Sequence, residues 1–186
     1  MPPRRDSSLT VTVGPMWAGK TEALDALIRH LAVAGQGVVL FRPKGDRPGP
    51  LVTHAGRQVA HPATFYDPAD TRRPHLPPGT THVIVDEVQR FSTSVSRWVE
   101  FWVSRGIRVS VFGLDMDSDG EVYSSVAELL AKAETIVKLV AVCRSCHGDA
   151  TRTARLDNEP ARTQVGAEDL YEPLCTRCWF TKRASR

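Results

Sequence analysis

The hydrophobic and polar positions in the first part of the chain predict a strand, a helix and a second strand. Residues 9–13 alternate in polarity and are rich in β-branched side chains, which favours a strand. Residues 20–34 repeat leucine and isoleucine at helical spacing, and Gly35 supplies a stop signal. Residues 38–41 are apolar and predict the second strand. This order is typical of the beginning of an α/β domain.

Residues 42–78 interrupt this pattern. They are dense in Pro, Gly and Asp, so we expect mostly loop, with one short strand-like piece at 58–60. A loop of this length in a compact domain is commonly functional.

The alternation of strands and helices resumes in the second half of the chain. The pattern predicts a strand at 81–85, a helix with an apolar face, a strand at 107–112, a helix at 126–133 and a strand at 136–142. The apolar face consists of Val95, Trp98, Val99 and Trp102, which we interpret as core residues. Strands alternating with helices imply right-handed β-α-β units and a parallel sheet.

Composition narrows the class of protein. The chain has 186 residues, of which 41% are hydrophobic, and its 24 Lys and Arg exceed its 21 Asp and Glu by a net charge of +3. Such a balance does not indicate a dedicated nucleic-acid-binding protein. No apolar run approaches the roughly 18 residues of a membrane span, and the first ten residues do not resemble a signal peptide. We therefore expect a cytoplasmic protein without a membrane segment.

A glycine-rich segment between the first predicted strand and helix fits the phosphate-binding pattern G-x-x-x-x-G-K-[ST]. It consists of Gly14, Pro15, Met16, Trp17, Ala18, Gly19, Lys20 and Thr21. The strand before it and the helix after it are the context that this motif requires. The backbone N–H groups would bind phosphate, Lys20 would neutralise the β- and γ-oxygens, and Thr21 is suited to ligate magnesium. The segment predicts ATP-type nucleotide binding, but it does not specify the reaction.

An acidic pair, Asp86 and Glu87, follows the strand at 81–85. Asp86 is suited to hold magnesium, and Glu87 could accept a proton from the attacking group. That group is water in an ATPase and a substrate hydroxyl in a kinase.

All four cysteines lie in the last quarter of the chain as two Cys-x-x-Cys pairs. The pairs are Cys143 with Cys146 and Cys175 with Cys178. Without a secretion signal, this spacing favours a four-sulfur zinc site over disulfides.

Five motifs in order give the chain a family resemblance: GPMWAGKT, VDEVQRF, VFGLDMD, KLVAVCRSC and VGAEDLYEPLCTRC. In this order they closely resemble the zinc-containing type II thymidine kinases, from about residue 9 to the second cysteine pair. The resemblance implies a RecA-like P-loop domain at 1–140 and a zinc-ribbon and lasso module at 141–186. It also implies a homotetramer that transfers the γ-phosphate of ATP to the 5′-hydroxyl of thymidine or a related pyrimidine nucleoside, with Mg²⁺ and structural Zn²⁺.

The resemblance also assigns site residues. It implies that Glu87 is the general base and that Asp86 and Thr21 hold magnesium. It implies a nucleoside-binding set of Met16, Arg90, Leu114, Ser118, Tyr123, Thr153, Val165, Gly166 and Tyr171. Asp46 and Arg47 fall near the family's Asp-x-Arg but are adjacent here, which leaves their roles open.

Departures from the family pattern concentrate at the nucleoside pocket. Gln89-Arg90-Phe91 replaces Gln-Phe-Phe, Asp117-Ser118-Asp119 replaces Asp-Phe-Arg, and Val122-Tyr123 replaces Pro-Phe. If Arg90 and Asp119 face the pocket, we expect a nucleoside with an added polar group to be preferred. If they face solvent, we expect ordinary use of thymidine.

Two other functions fit parts of the sequence. One is a P-loop ATPase that acts on nucleic acid through the zinc ribbon, which the lack of a basic face interleaved with aromatic residues disfavours. The other is a non-catalytic homologue, which the intact Lys20, Thr21, Asp86 and Glu87 disfavour.

Overall fold

The computed structural model describes residues 8–45, 49–53, 55–156 and 170–184. Within these ranges the strands are β1 Leu9–Val13, β2 Val38–Pro43, β3 Ala63–Tyr66, β4 His82–Val85, β5 Arg108–Gly113, β6 Thr135–Lys138, β7 Ala141–Val142, β8 Asp149–Ala150, β9 Arg152–Arg155 and β10 Tyr171–Leu174. The α-helices are α1 Lys20–Val33, α2 Ser94–Ser104, α3 Ser124–Lys132 and α4 Thr176–Ala184, and a 3-10 helix spans Val88–Arg90.

A parallel sheet organises the larger part of the fold. In the described residues its order is β3-β2-β4-β5-β1-β6, and every neighbouring pair is parallel. The expected α/β class, with a parallel sheet flanked by helices, is therefore confirmed. Since parallel strands end at the same edge, the segments that follow β1, β4 and β5 lie beside one another.

Period-two alternation divides the core between the two faces of the sheet. On one face, Leu24, Ile28 and Leu31 of α1 pack with Leu40, Ile84 and Phe112. On the other, α2 and α3 pack against Val83, Val85, Val109 and Val111. Trp102 of α2 stacks on Phe41 with ring centroids 5.8 Å apart, which confirms that the aromatic face of this helix belongs to the core.

The structure differs from the sequence expectation between β2 and β4. The region expected to be mostly loop contains β3, an edge strand that hydrogen-bonds only to β2 within the described residues. Residues 58–60 do not form a strand of the sheet; Gln58 makes an isolated bridge with Val52. A four-residue edge strand flanked by prolines leaves too short a periodic signal to be recognised in the sequence.

The strand expected at 136–142 is divided in two. Thr135–Lys138 is β6 and pairs with β1, whereas Ala141–Val142 is β7 and pairs antiparallel with β8. The sequence hides the break, because both pieces lie in one largely apolar run, 136–142, although they belong to different sheets.

A small C-terminal substructure follows β6. It contains the β7–β8 and β9–β10 hairpins and α4, and its own apolar cluster includes Ala141, Cys143, Leu174 and Trp179. None of the helices in the described ranges is long and apolar enough to cross a membrane.

Candidate active site

The glycine-rich segment forms the turn between β1 and α1. Gly19 has φ 84° and Trp17 has φ 62°, so the segment enters the left-handed region twice. Gly14 is tightly enclosed, because a Cβ there would lie 2.6 Å from the carbonyl oxygen of Leu139. This conformation leads directly into the amino end of α1, where backbone N–H groups favour an anion.

Lys20 begins α1 and turns back over the loop. Its Nζ donates hydrogen bonds to the carbonyl oxygens of Gly14 at 2.9 Å and Pro15 at 2.7 Å. Burial lowers the pKa of Lys20 from its ordinary value of 10.5. Three nearby carboxylates act in the opposite direction, namely Glu87, Asp86 and Asp115. The ends of β4 and β5 therefore bring negative charge to the phosphate-binding loop.

Asp86 directly follows β4 and is a buried residue, 6% exposed. Arg42, on the neighbouring strand β2, is also buried, and its Nε lies 3.9 Å from Asp86 Oδ2. Arg42 therefore places a positive charge beside the Asp86 carboxylate, whose oxygens are of the kind that bind Mg²⁺.

Glu87 occupies a strained backbone position. Its φ is 51°, an uncommon value for a residue other than glycine, and it leads into the 3-10 helix Val88–Arg90. Gln89 turns back, and its Nε2 donates a hydrogen bond to Glu87 Oε2 at 2.5 Å. The other amide atom, Oε1, accepts a hydrogen bond from the backbone N–H of Leu114 at 3.0 Å.

The C-terminal substructure contacts the phosphate-binding loop directly. The backbone N–H of Met16 donates to Thr153 Oγ1 of β9 at 3.1 Å. Trp17 and Ala18 pack against the apolar cluster of Cys143, Leu174 and Trp179. The loop is therefore held between the main sheet and this substructure.

The two cysteine pairs meet at one point, with the four sulfur atoms all within 4.8 Å of one another. Sγ of Cys146 and Sγ of Cys175 are 3.7 Å apart, close to the roughly 3.8 Å edge expected for zinc–sulfur bonds of about 2.3 Å in a tetrahedron. Burial raises the pKa of the Cys143 thiol, but backbone N–H donors outweigh it and lower the pKa to about 6. The donor set therefore fits zinc.

Two of the three altered segments at the expected nucleoside pocket have their own partners. Trp179 Nε1 donates to the carbonyl oxygen of Ser118 at 3.3 Å. Arg183 binds the carboxylate of Asp119, whose side chain is 58% exposed. Arg90 Nη2 donates to the carbonyl oxygen of Gly45 at 3.3 Å. Asp119 is thus directed to α4 and solvent.

The remaining nucleoside-binding candidates have other neighbours or lie outside the described residues. Tyr123 packs against the main core beside α3, and the guanidinium of Arg155 lies 5.5 Å from the ring of Tyr171. Val165, Gly166, Asp46 and Arg47 lie outside the described residues. Among the described candidates, Met16 and Thr153 bond to each other at the loop, Leu114 donates to the Gln89 amide, and the backbone N–H of Arg90 donates to the carbonyl oxygen of Glu87.

Sequence reasoning missed the contacts that Arg42 and Gln89 make with the acidic pair. Arg42 stands at the carboxyl end of a strand adjacent to β4, so the rule that sites form at this edge could have drawn attention to it. Gln89 lies within a recognised motif, but nothing in the sequence shows that its amide turns back to Glu87.

Comparisons with known proteins agree with this geometry. The family model described as thymidine kinase matches residues 7–179, which include the phosphate-binding loop, the acidic pair and both cysteine pairs. A curated thymidine kinase from Deinococcus radiodurans is 35% identical over 191 aligned residues, covering 92% of this chain and 89% of the relative.

Proposed function

This chain belongs to the thymidine kinase family, and we propose that it transfers the γ-phosphate of ATP to the 5′-hydroxyl of thymidine or a related pyrimidine nucleoside. Family membership makes it an ATP-dependent nucleoside kinase. The identity of the acceptor and the roles of individual residues are the proposed part. The family match does not favour the alternative of an ATPase acting on nucleic acid.

One observation carries the assignment of the reaction centre. Lys20 of the phosphate-binding loop lies within electrostatic reach of both Asp86 and Glu87, although 66 residues separate Lys20 from Asp86 in the sequence. A phosphate bound at the loop would therefore face a metal-binding carboxylate and a proton acceptor together, as phosphoryl transfer requires.

The loop and Lys20 would bind the triphosphate. Backbone N–H groups of the loop and of the first turn of α1 would supply donors, and Lys20 would exchange its carbonyl partners for β- and γ-phosphate oxygens. Thr21 and Asp86 offer hard oxygen ligands and would hold magnesium, which neutralises charge on the phosphate oxygens.

Glu87 would accept the proton of the 5′-hydroxyl as that oxygen attacks the γ-phosphorus. Its carboxylate is partly exposed at the edge of the sheet, and one of its oxygens is already held by Gln89. The second oxygen has no hydrogen-bond partner among the described residues and would orient the hydroxyl.

The four cysteines would hold a structural zinc ion, which crosslinks the two hairpins. Thr153, in β9 of this module, reaches the loop, so the module can position residues that bind the nucleoside as well as support the phosphate site. The assignment of Val165, Gly166 and Tyr171 to a pyrimidine-binding lasso rests on the family resemblance.

The exposed position of Asp119 supports a plain pyrimidine nucleoside as the acceptor. Its carboxylate faces Arg183, and the Arg90 side chain reaches Gly45. These contacts satisfy the polar groups without a modified substrate. Ordinary thymidine is therefore the acceptor we propose.

A homotetramer in the cytoplasm completes the proposal. In the described residues β6 is an edge strand whose four residues are all exposed, with Ile136 54% and Val137 38% accessible. An apolar strand edge of this kind is suited to burial between copies of the chain. The division into residues 1–140 and 141–186 belongs to the same proposal.

A panel of nucleosides assayed with ATP tests the function. We expect ADP and a nucleoside 5′-monophosphate to form in equal amounts with thymidine, and purine nucleosides to give little product. Nucleoside-independent ATP hydrolysis that nucleic acid stimulates would contradict the proposal and favour the ATPase.

The double variant Arg90→Phe/Ser118→Phe tests the pocket within the same assay. We expect little change in kcat/KM for thymidine, because the side chain of Arg90 reaches Gly45, and Ser118 is held to Trp179 through its backbone carbonyl, a contact that the substitution keeps. A large gain would show instead that these positions contact the base and have been adapted to another nucleoside.

A further inference from the structure

We propose that Gln89 is a positioning residue that fixes the carboxylate of Glu87 for proton abstraction. The inference rests on the proposed function, in which Glu87 is the base. It concerns a side chain that makes one bond to that carboxylate and one to the end of β5.

The orientation of the Gln89 amide is determined by its neighbours. The backbone N–H of Leu114 can only donate, so the amide atom 3.0 Å from it is Oε1. The NH₂ group then necessarily faces Glu87, where it donates to Oε2. An ionised carboxylate is an acceptor only, so this arrangement suits the form of Glu87 that can take a proton.

Burial and close packing restrict Gln89 to this arrangement. Gln89 is 7% exposed. Its amide fits beside Gly113 because glycine has no side chain there. A Cβ on Gly113 would lie 2.5 Å from Gln89 Oε1 and 2.9 Å from Val88 Cγ1. The glycine at the end of β5 therefore admits the amide to its hydrogen-bonding position.

Glu87 needs such a restraint because its carboxylate stands on a flexible side chain. The Gln89 hydrogen bond holds Oε2 and leaves Oε1 to meet the substrate hydroxyl. Proton abstraction requires the base to lie within hydrogen-bond distance of that hydroxyl, and misplacement by about 1 Å can cost on the order of 10²-fold in rate.

The variant Gln89→Met preserves side-chain length and removes both hydrogen bonds. We expect kcat to fall about 10- to 100-fold while KM for ATP stays within about twofold, because the phosphate-binding loop is untouched. Gly113→Ala displaces the amide without changing Gln89, and we expect it to lower kcat in the same way.

Gln36→Met provides the matched control. The Gln36 amide also joins separate segments, since its Oε1 accepts bonds from Thr81 and Arg108, but it lies at the opposite end of the sheet. We expect this variant to change thermal stability without lowering kcat. An equal loss of kcat in Gln36→Met and Gln89→Met would reduce the effect to general destabilisation and overturn the proposal.

A double-mutant cycle with Glu87→Gln gives the decisive measurement. If Gln89 acts through the Glu87 carboxylate, Gln89→Met lowers kcat in the native chain but causes no further loss in Glu87→Gln. If Gln89→Met lowers kcat by the same factor in both backgrounds, or does not lower it in the native chain, the role of Gln89 is overturned while the base assignment stands. Full turnover by Glu87→Gln overturns the base assignment itself, so the two failures are distinguishable.

Discussion

Lys20 is both buried and positively charged, a combination that is unfavourable in a folded protein. Burial disfavours the charged form of Lys20, whereas three nearby carboxylates favour it. Its ammonium group donates hydrogen bonds to the carbonyl oxygens of the loop. A bound triphosphate offers stronger, charged acceptors in the same place. Substrate binding would thus relieve an unfavourable environment that the folded loop creates.

Lys20→Ala should therefore leave a folded protein with weak ATP binding and a kcat reduced by at least about 10²-fold, because the transferred phosphate loses its charge partner. Equilibrium binding of ATP and steady-state kinetics measure the two effects. Lys132→Ala is the control, since Lys132 is also ion-paired, to Glu100, but lies on α3 away from the loop. Undiminished turnover in Lys20→Ala would refute the phosphate site.

His82 should make stability depend on pH. The ring is 5% exposed, its Nε2 lies 2.9 Å from Ser110 Oγ, and its Nδ1 has no hydrogen-bond partner among the described residues. Burial, with a smaller contribution from Arg108, lowers its pKa from 6.5 to about 4. The unfolded chain therefore binds this proton more readily than the folded one, and stability falls as pH drops from 6.5 towards 4.

Denaturant unfolding between pH 7 and pH 4 measures this dependence. One proton gives a slope of at most about 1.4 kcal/mol per pH unit. His82→Leu should flatten the slope within that window, whereas His75→Leu, at an exposed position, should leave it unchanged. Equal slopes in the native chain and His82→Leu would show that other groups control acid unfolding.

Motifs defined by local spacing were accessible from the sequence, and side-chain directions were not. Residues 14–21 and the cysteine pairs carry their chemistry in short stretches of chain. The Gln89–Glu87 bond and the turn of Asp119 towards Arg183 depend on rotamers and on elements distant in sequence. The family resemblance indicated that these residues lie near the site, but it could not predict where their side chains point.

Among the elements, those with a long periodic signal were predicted well. The expected helix at 20–34 and the observed α1, Lys20–Val33, differ by one residue, because Gly35 is a clear stop. β3 was missed because it is an edge strand of four residues, and the boundary between β6 and β7 was hidden in an apolar run. The existence of β3 and the boundary between β6 and β7 both depend on which strands pair, and the sequence does not show this.

The small elements around the cysteines should depend on metal. Their apolar cluster contains three alanines and a few larger side chains, too little to hold two short hairpins and α4 by burial alone. We expect about one zinc ion per chain by elemental analysis. Chelation should expose the amides of β9 and β10 to hydrogen exchange while those of β4 and β5 stay protected.

Cys146→Ser should reproduce the effect of chelation, and Arg144→Ala, a change at a nearby exposed position, should not. Purified active protein without metal would contradict the zinc assignment. Unchanged exchange at β9 after zinc removal would instead show that packing against the main domain is enough to hold the module.

At the scale of the whole molecule, the exposed edge at β6 is the surface on which assembly should depend. Ile136→Glu places a charge on this edge, which disfavours burial against another copy. We expect sedimentation to show a smaller assembly than that of the native chain. Val122→Glu is the control, an exposed valine in the segment before α3. A monomeric native chain, or identical masses for both variants, would remove β6 from the proposed interface.

Trp17 gives the molecule a built-in optical reporter. Of the four tryptophans, Trp98 and Trp102 lie in the main core and Trp179 lies in the C-terminal cluster, whereas Trp17 belongs to the phosphate-binding loop and packs on that cluster. On the proposed function, nucleotide would contact one side of this loop and the zinc-binding hairpins would contact the other, so both would set the environment of the Trp17 indole. Nucleotide should therefore change tryptophan emission mainly through Trp17, and metal through Trp17 and Trp179 together, so the binding of both ligands can be followed in real time without an attached dye.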